Sequence, residues 1–397
     1  MMNQKMVALG QTRSVIRELF EYGNKKKAEI GEDKVFDFSL GNPNVPAPEA
    51  VNKEYIRLLE TKDDVYLHGY TSAQGDAACR RAIADNLNER FGTSYTGDNL
   101  FLTCGCCAAL KAVLHALYDE GDEVIAFTPY FPEYKVFVET TGAKLVEVST
   151  DPSTFRIDLD KLEQAITEHT KTIMINSPNN PSGVVYKTET IEQLAGLLRK
   201  KEAEYGHVIY LLTDEPYREL VYDEGTAVPF VPNYYEHAIV CYSYSKSLSL
   251  PGERIGYVLL PDTLPDKQII YAGVAGASRF LGHVCPPSLA QHMLEKCADQ
   301  VADLTVYKTN RDLLYKALTE YGYTCVYPDG AFYMFVKALE DDAVAFSERA
   351  KKDYNLLLVP SDSFGVKGYV RIAYCVTTEL IKRSLPAFKA LAESYGK

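Results

Sequence analysis

Apolar runs of four to six residues recur through the middle of the chain, separated by stretches whose apolar positions fall at helical spacing. Leu100-Phe-Leu-Thr103 is followed by the helical stretch AALKAVLHALYDEG, closed by Gly121. Glu123-Val-Ile-Ala-Phe127 leads into a helix over PEYKVFVETTG, and Lys144-Leu-Val-Glu-Val148 comes next. DLDKLEQAITEH predicts a helix with Asp158 near its N-cap. Lys171-Thr-Ile-Met-Ile175, the helix TETIEQLAGLLRKKEAEYG, His207-Val-Ile-Tyr-Leu-Leu212 and Ala238-Ile-Val-Cys241 complete the series. Such βα alternation predicts a parallel sheet with helices on both faces.

Past residue 285 the pattern changes. SLAQHMLEKCADQVADLTVYKTNRDLLYKAL reads as a long, interrupted helix. Gly330-Ala-Phe-Tyr-Met-Phe-Val336 and Tyr369-Val-Arg-Ile-Ala373 read as strands, with helices around VAFSERAKKDY and at the C-terminus. This mixed segment predicts a second, smaller α+β domain. The expected division is a large domain over 46–285 and a small one built from 1–45 and 286–397.

Composition narrows the function class. With 46% hydrophobic and 24% charged residues, the chain is ordinary for a globular protein. Its formal charge of −12, with no long basic run, argues against nucleic acid or an anionic membrane as the main partner. The stretch MMNQKMVALGQTRS lacks the apolar core of a signal peptide, and no run of about 18 apolar residues occurs. A cytoplasmic location is the expectation. Nine scattered cysteines do not suggest a disulfide framework. Cys104-Gly-Cys106-Cys107 lacks a second ligand pair at zinc-like spacing, so a tight turn of small residues is expected there and no metal.

The polar residues that directly follow each apolar run form an ordered set. They are Cys-Gly-Cys-Cys after 103, Thr-Pro-Tyr130-Phe131 after 127, and Asn-Ser-Pro-Asn-Asn180-Pro-Ser-Gly after 175. Thr-Asp214-Glu-Pro-Tyr217 follows 212, and Tyr-Ser243-Tyr-Ser245-Lys246 follows 241, with Arg254 close behind. Ligands of an open parallel sheet sit outside the carboxyl ends of its strands, so one edge would carry all five turns. Each has a bland alternative: a cap, a turn, rim packing or a solvated lysine. Their convergence favours a single ligand. Helix-terminal amides, serines and arginine suit a phosphate, and an aromatic face suits a flat ring. A carboxylate suits a protonated ring nitrogen, and a lysine amine suits an aldehyde. Pyridoxal 5′-phosphate has all four features.

On these residues the chain resembles the class I/II aminotransferases, pyridoxal-phosphate enzymes of fold type I (aspartate aminotransferase-like). The resemblance runs from Leu40-Gly41-Asn42-Pro-Asn to Arg371, and its most specific element is SYSKSLSLPGERIG, residues 243–256. Asn180-Pro-Ser-Gly183, Asp214-Glu-Pro-Tyr217, Pro328-Asp-Gly330-Ala-Phe-Tyr and Ser-Phe-Gly…Tyr-Val-Arg371 match further motifs in order. It implies a large, mostly parallel sheet of the seven-stranded type covered by helices, with a smaller α+β domain from the two chain ends.

The resemblance also implies roles. Lys246 would form a Schiff base with the cofactor and move a proton, Asp214 would keep the ring nitrogen protonated, and Tyr217 and Asn180 would bond the ring hydroxyl oxygen. Ser243, Ser245, Arg254 and the amides near Cys106 and Cys107 would surround the phosphate. Phe131 aligns with the ring-stacking aromatic, with Tyr130 as second choice. Tyr70, in HGYTSAQG, would reach the partner's phosphate in a homodimer with shared active sites. Arg371 would grip the substrate α-carboxylate, beside the backbone of Gly41 and Asn42. The implied substrates are amino acids and 2-oxo acids, exchanged by a ping-pong mechanism. Cys107 stands where some members carry a polar or basic side chain that helps bind a second carboxylate, and no second arginine for a dicarboxylic substrate is evident, which leaves Arg279 or a residue from the partner subunit to serve. Two alternatives stay open: a C–S β-lyase or related elimination enzyme on this scaffold, and a non-catalytic ligand sensor.

Overall fold

The computed structural model describes residues 2–11 and 14–397, so Met1, Thr12 and Arg13 of the amino-terminal stretch lie outside the described residues. Its strands in chain order are β1 (Phe36–Asp37), β2 (Leu100–Thr103), β3 (Glu123–Thr128), β4 (Lys144–Ser149), β5 (Thr170–Asn176) and β6 (Tyr210–Asp214). There follow β7 (Ala238–Ser243), β8 (Gly256–Leu259), β9 (Tyr333–Lys337), β10 (Leu356–Leu357), β11 (Val359–Pro360) and β12 (Tyr369–Ala373). Seven strands form one sheet in the order β2-β8-β7-β6-β5-β3-β4. All its neighbours are parallel except that β8 runs antiparallel to both β2 and β7.

The apolar runs of the sequence become these strands because they are buried on both faces. On β3, Val124 and Ala126 pack under the Cys106–Leu117 and Lys267–Leu281 helices, while Ile125 and Phe127 face the Thr188–Tyr205 helix. Leu212 and Leu211 divide in the same way on β6. This alternation explains why the runs read as continuously apolar rather than half polar.

Strand β8 is absent from the sequence reading. It is four residues long and opens on the last glycine of the lysine motif, just after the Pro251-Gly252 turn, so in sequence it reads as part of that motif and not as a strand. Its direction matters. Two antiparallel steps across β8 restore β2 to the direction of β7, so the carboxyl ends of β2, β3, β5, β6 and β7 share one edge. The amino end of β8 reaches that edge as well, with Gly256 opposite Thr103 and Ser243, which delivers Arg254 there.

A second layer of packing covers the β2-β8-β7 side. Leu100, Leu102, Val240, Tyr242 and Leu259 pack with the Glu49–Thr61, Ala77–Phe91 and Ser288–Cys297 helices. The Ser288–Cys297 helix, placed with the small domain from sequence, thus packs on the large sheet's helices. Its apolar residues Ala290, Met293, Leu294 and Cys297 find their partners there, and the long helix predicted over this stretch breaks before Thr305–Glu320.

The remaining core lies around a three-stranded antiparallel sheet, β11-β12-β9, packed by the Thr305–Glu320, Ala343–Tyr354 and Thr378–Glu393 helices. In β12, Val370 and Ile372 enter this core, so pleating turns Arg371 to the opposite face. Phe38 and Val45 pack here too, and β1 pairs with β10.

Candidate active site

The five polar turns and Arg254 do meet at the sheet edge. Asp214 ends β6 and is only 5% exposed. Burial pushes its carboxyl up to about 6; hydrogen bonds from Cys106 and Tyr134 pull the other way, and neighbouring Glu215 adds to the rise. Cys106 Sγ donates to Asp214 Oδ1 at 2.9 Å, and Tyr134 Oη donates to Oδ2 at 2.5 Å. The backbone carbonyl of Asp214 accepts from Asn176 Nδ2 at 2.7 Å, and Asn176 Oδ1 accepts from the Asn180 amide, also at 2.7 Å. Asn176 thereby fixes the ends of β5 and β6 to one another.

Lys246 lies in a single helical turn, Tyr244–Ser247, that begins where β7 ends. Its Nζ donates to the Gly41 carbonyl at 2.8 Å and stands 5.4 Å from the centre of the Phe332 ring. Burial lowers its ammonium to about 8, and the positive charges of Arg254 and Arg371 push in the same direction; Cys375 and Cys107 oppose. Gly41 is required at its position. A Cβ there would fall 1.9 Å from Tyr333 Oη.

Tyr333 also shares a 3.0 Å hydrogen bond with Tyr217 Oη. Burial holds the Tyr217 phenol well above its ordinary range, with Tyr333 and Asp214 adding to the effect, so it remains a donor. Arg371 is 2% exposed. Its Nη1 donates to Asn180 Oδ1 at 3.1 Å and its Nη2 to the Ser39 carbonyl at 2.6 Å, while Nε is buried and finds no acceptor among the described residues. The rings of Tyr333 and Phe364 lie 4.6 and 5.2 Å from its guanidinium carbon.

At the other end of the edge, the Cys106–Leu117 helix starts from Gly105, whose φ is +86°. The first backbone bond of its amino end runs from Ala109 N to Gly105 O, so the amides of Cys106, Cys107 and Ala108 precede it. Arg254, itself at φ +52°, donates from Nη1 to Pro251 O and from Nη2 to Cys104 O. Ser243 Oγ donates to Ser245 Oγ at 3.2 Å, and both serines are buried. Together these groups make an anion cradle of amides, hydroxyls and a guanidinium.

The aromatic pair separates. Phe131 is half-buried and stands at 89° to the Tyr134 ring. Tyr130 is turned away, its hydroxyl donating to Glu147, and it stacks on Tyr134 at 13°. Asn42 is exposed at the rim beside Gly41. Tyr70 is 99% exposed on this chain. Arg279 lies in the last turn of the Lys267–Leu281 helix. The Cys106 side chain points to the carboxylate, whereas its backbone amide faces the cradle end of the helix.

Four residues of this network carried no role in the sequence reading: Tyr134, Asn176, Tyr333 and Cys375, whose Sγ donates to Leu40 O at 3.7 Å. Asn176 and Tyr333 stood inside recognised motifs. Tyr134 and Cys375 had no local signal, since each matters only through a partner distant in sequence.

The model of the family described as aminotransferase class I and II matches residues 33–388. An aspartate aminotransferase of Thermotoga maritima is 32% identical, with 93% of this chain and 95% of that protein covered. Among solved structures, an amino transferase from Eubacterium rectale shares 56% identity and superposes with a TM-score of 0.97, over 100% of this chain and 99% of that one. The aspartate aminotransferase of Thermus thermophilus with maleate superposes at 0.84 with 28% identity, over 98% and 99% of the two chains.

Proposed function

The chain belongs to the class I and II aminotransferases, and from that premise we propose that it moves an amino group between an L-amino acid and a 2-oxo acid in two ping-pong half-reactions. Its cofactor is pyridoxal 5′-phosphate. The observation that carries the reading is the meeting, on one sheet edge, of a lysine whose ammonium is depressed to about 8 and a buried carboxylate.

The residues present fit this cofactor. Gly105 leaves room beside the helix N-terminus that a Cβ would fill, since such an atom would lie 2.8 Å from Arg254 Nη2. Arg371 Nε is a buried donor in want of an acceptor, as a carboxylate-binding arginine would be. When bound, pyridoxal phosphate supplies an aldehyde for the amine and a ring that accepts electron density released at the substrate Cα.

The protein's part in the reaction is then binding, orientation and proton transfer. The amides of Cys106 and Cys107, with Ser243, Ser245 and Arg254, bind the phosphate. Phe131 stacks on the ring, Asp214 holds a proton on the ring nitrogen, and Tyr217 and Asn180 donate to the ring oxygen. Lys246 Nζ anchors the cofactor and afterwards carries the proton taken from Cα. Arg371, beside Gly41 and Asn42, pairs with the α-carboxylate. Tyr70, protruding from its own chain, serves the site of the second subunit in a cytoplasmic homodimer. The relatives reported above are aminotransferases, and none of their names points to elimination chemistry.

The test is a panel of amino acids mixed with the purified holoenzyme. In the absence of an acceptor, a true donor should bleach the visible band of the lysine-bound cofactor and yield about one 2-oxo acid per site, with pyridoxamine phosphate left behind. Sustained release of pyruvate and ammonia from cystathionine without an oxo acid would replace the reading by β-elimination. Gly105→Ala bears on the cradle. An L-residue at φ +86° and ψ 175°, a region essentially confined to glycine, costs about 1–3 kcal/mol, and the added methyl displaces Arg254, so cofactor affinity should drop about tenfold. Fluorescence titration of the apo protein with pyridoxal phosphate checks this; unchanged affinity would move the phosphate elsewhere.

A further inference from the structure

We propose that the Cys106 thiol is a positioning group for the cofactor ring: by donating to Asp214 Oδ1 while its own backbone amide lies at the phosphate cradle, it ties the two ends of the cofactor site together and keeps the Asp214 carboxylate ionised and aimed. The inference rests on the reading of Asp214 as the partner of the ring nitrogen.

A buried carboxylate is costly unless its oxygens receive hydrogen bonds. The nearest charge on its own strand end, Glu215, is of the same sign and makes ionisation harder. Among the described residues, no arginine or lysine pairs with Asp214. It receives two neutral donors, one on each oxygen: Cys106 Sγ at 2.9 Å and Tyr134 Oη at 2.5 Å. The titratable groups facing it are Cys106 and Cys107 from the Cys106–Leu117 helix, Tyr134 from the Glu133–Glu139 helix, Cys241 from β7, and Glu215 and Tyr217 beside it. Burial raises the Cys106 thiol and the Tyr134 phenol well above their ordinary ranges. Both therefore keep their protons and donate, and the negative charge stays on Asp214.

Neutral donors suit the task. A cation in their place would compete with the ring nitrogen's proton for the carboxylate. Two donors also fix the carboxylate plane, and each comes from a different helix. Cys106 is the first residue of its helix, so the side chain that holds Asp214 and the amide at the cradle move as one body. Alanine would supply the amide and lose the donor; serine would supply both.

The experiment compares wild type with Cys106→Ala, Cys106→Ser, Cys106→Val and Asp214→Asn as apo proteins. Pyridoxal phosphate affinity is read by fluorescence titration from about pH 5 to 8, and apo-protein melting is recorded alongside. Wild-type affinity should fall as pH drops through about 6, where Asp214 takes a proton. Cys106→Ala and Cys106→Val should bind about tenfold more weakly and lose affinity at a higher pH. Cys106→Ser should stay near wild type in both respects. The shift between variants is the readout, because the cofactor's own titration is common to all. Alanine leaves a small cavity and valine overfills the buried site by about one methyl, so the same shift in both, read beside their melting, separates lost donation from a packing or folding defect. Wild-type affinity and pH profile in the valine variant, or equal impairment in the serine variant, would overturn the role of Cys106. If Asp214→Asn leaves both quantities unchanged, it is the reading of Asp214 that falls; a weakened Asp214→Asn beside an unaltered Cys106→Val sinks the thiol alone.

Discussion

Lys246→Ala should abolish transamination, with turnover reduced by about 10⁴-fold or more, because a positioned proton-transfer group and the covalent anchor vanish together. The fold should survive. Among the described residues the Nζ has one hydrogen-bond acceptor, the Gly41 carbonyl, and the surrounding Tyr244, Ser245, Ser247 and Leu248 are held by their own packing. The variant should bind pyridoxal phosphate reversibly and lack the visible band of the lysine-bound form. The pH dependence of attachment follows from the depressed ammonium. Only the neutral amine attacks an aldehyde, so the attachment rate in wild-type apoenzyme should rise with pH and level off above about 8, well below an ordinary lysine. Stopped-flow mixing over that range measures it. Normal turnover in the alanine variant would refute the assignment of Lys246, and attachment still rising beyond pH 10 would refute the depressed ammonium.

The second large effect is expected at Arg371. Lysine there keeps the charge but gives up the planar fork that pairs with a carboxylate through two parallel bonds. Losing one charge-assisted hydrogen bond of the pair costs about 1.5–3 kcal/mol. Arg371→Lys should therefore lower kcat/KM for the amino donor by about 10–10²-fold, mainly through KM. Cofactor affinity should change little, because Arg371 touches Asn180 Oδ1 and Ser39 O rather than the phosphate cradle. Lysine is the better test than alanine, which would leave Asn180 and the Ser39 carbonyl without their donor. A KM within a few-fold of wild type would place the substrate carboxylate elsewhere.

Much of this site could be read from the chain because its parts sit where strands end. A strand buried on both faces is a continuous apolar run, and the first polar residues after it must lie at a sheet edge. Asp214 after Leu212 and Lys246 after Cys241 were visible for that reason. Strand β8 was not, since four residues opening on a glycine carry no period that distinguishes them from a turn. The two-residue strands β10 and β11 were equally silent, and they exist because β1 and β12 offer them partners. The Ser288–Cys297 helix shows a related limit: its amphipathic pattern announces a buried face without saying which core buries it.

By itself, then, the sequence determined the alternation of strand and helix, the order of the polar turns, and the chemical kinds of group along one edge. Those are local properties, written in the spacing of neighbouring side chains. Only the tertiary structure decided which groups touch. Lys246 meets the Gly41 carbonyl across 205 positions, Arg371 meets Asn180 across 191, and Cys106 meets Asp214 across 108. The proton affinities follow from those meetings. A lysine near 8 and an aspartate near 6 result from burial and from charges and donors brought up by distant segments, which no local pattern records.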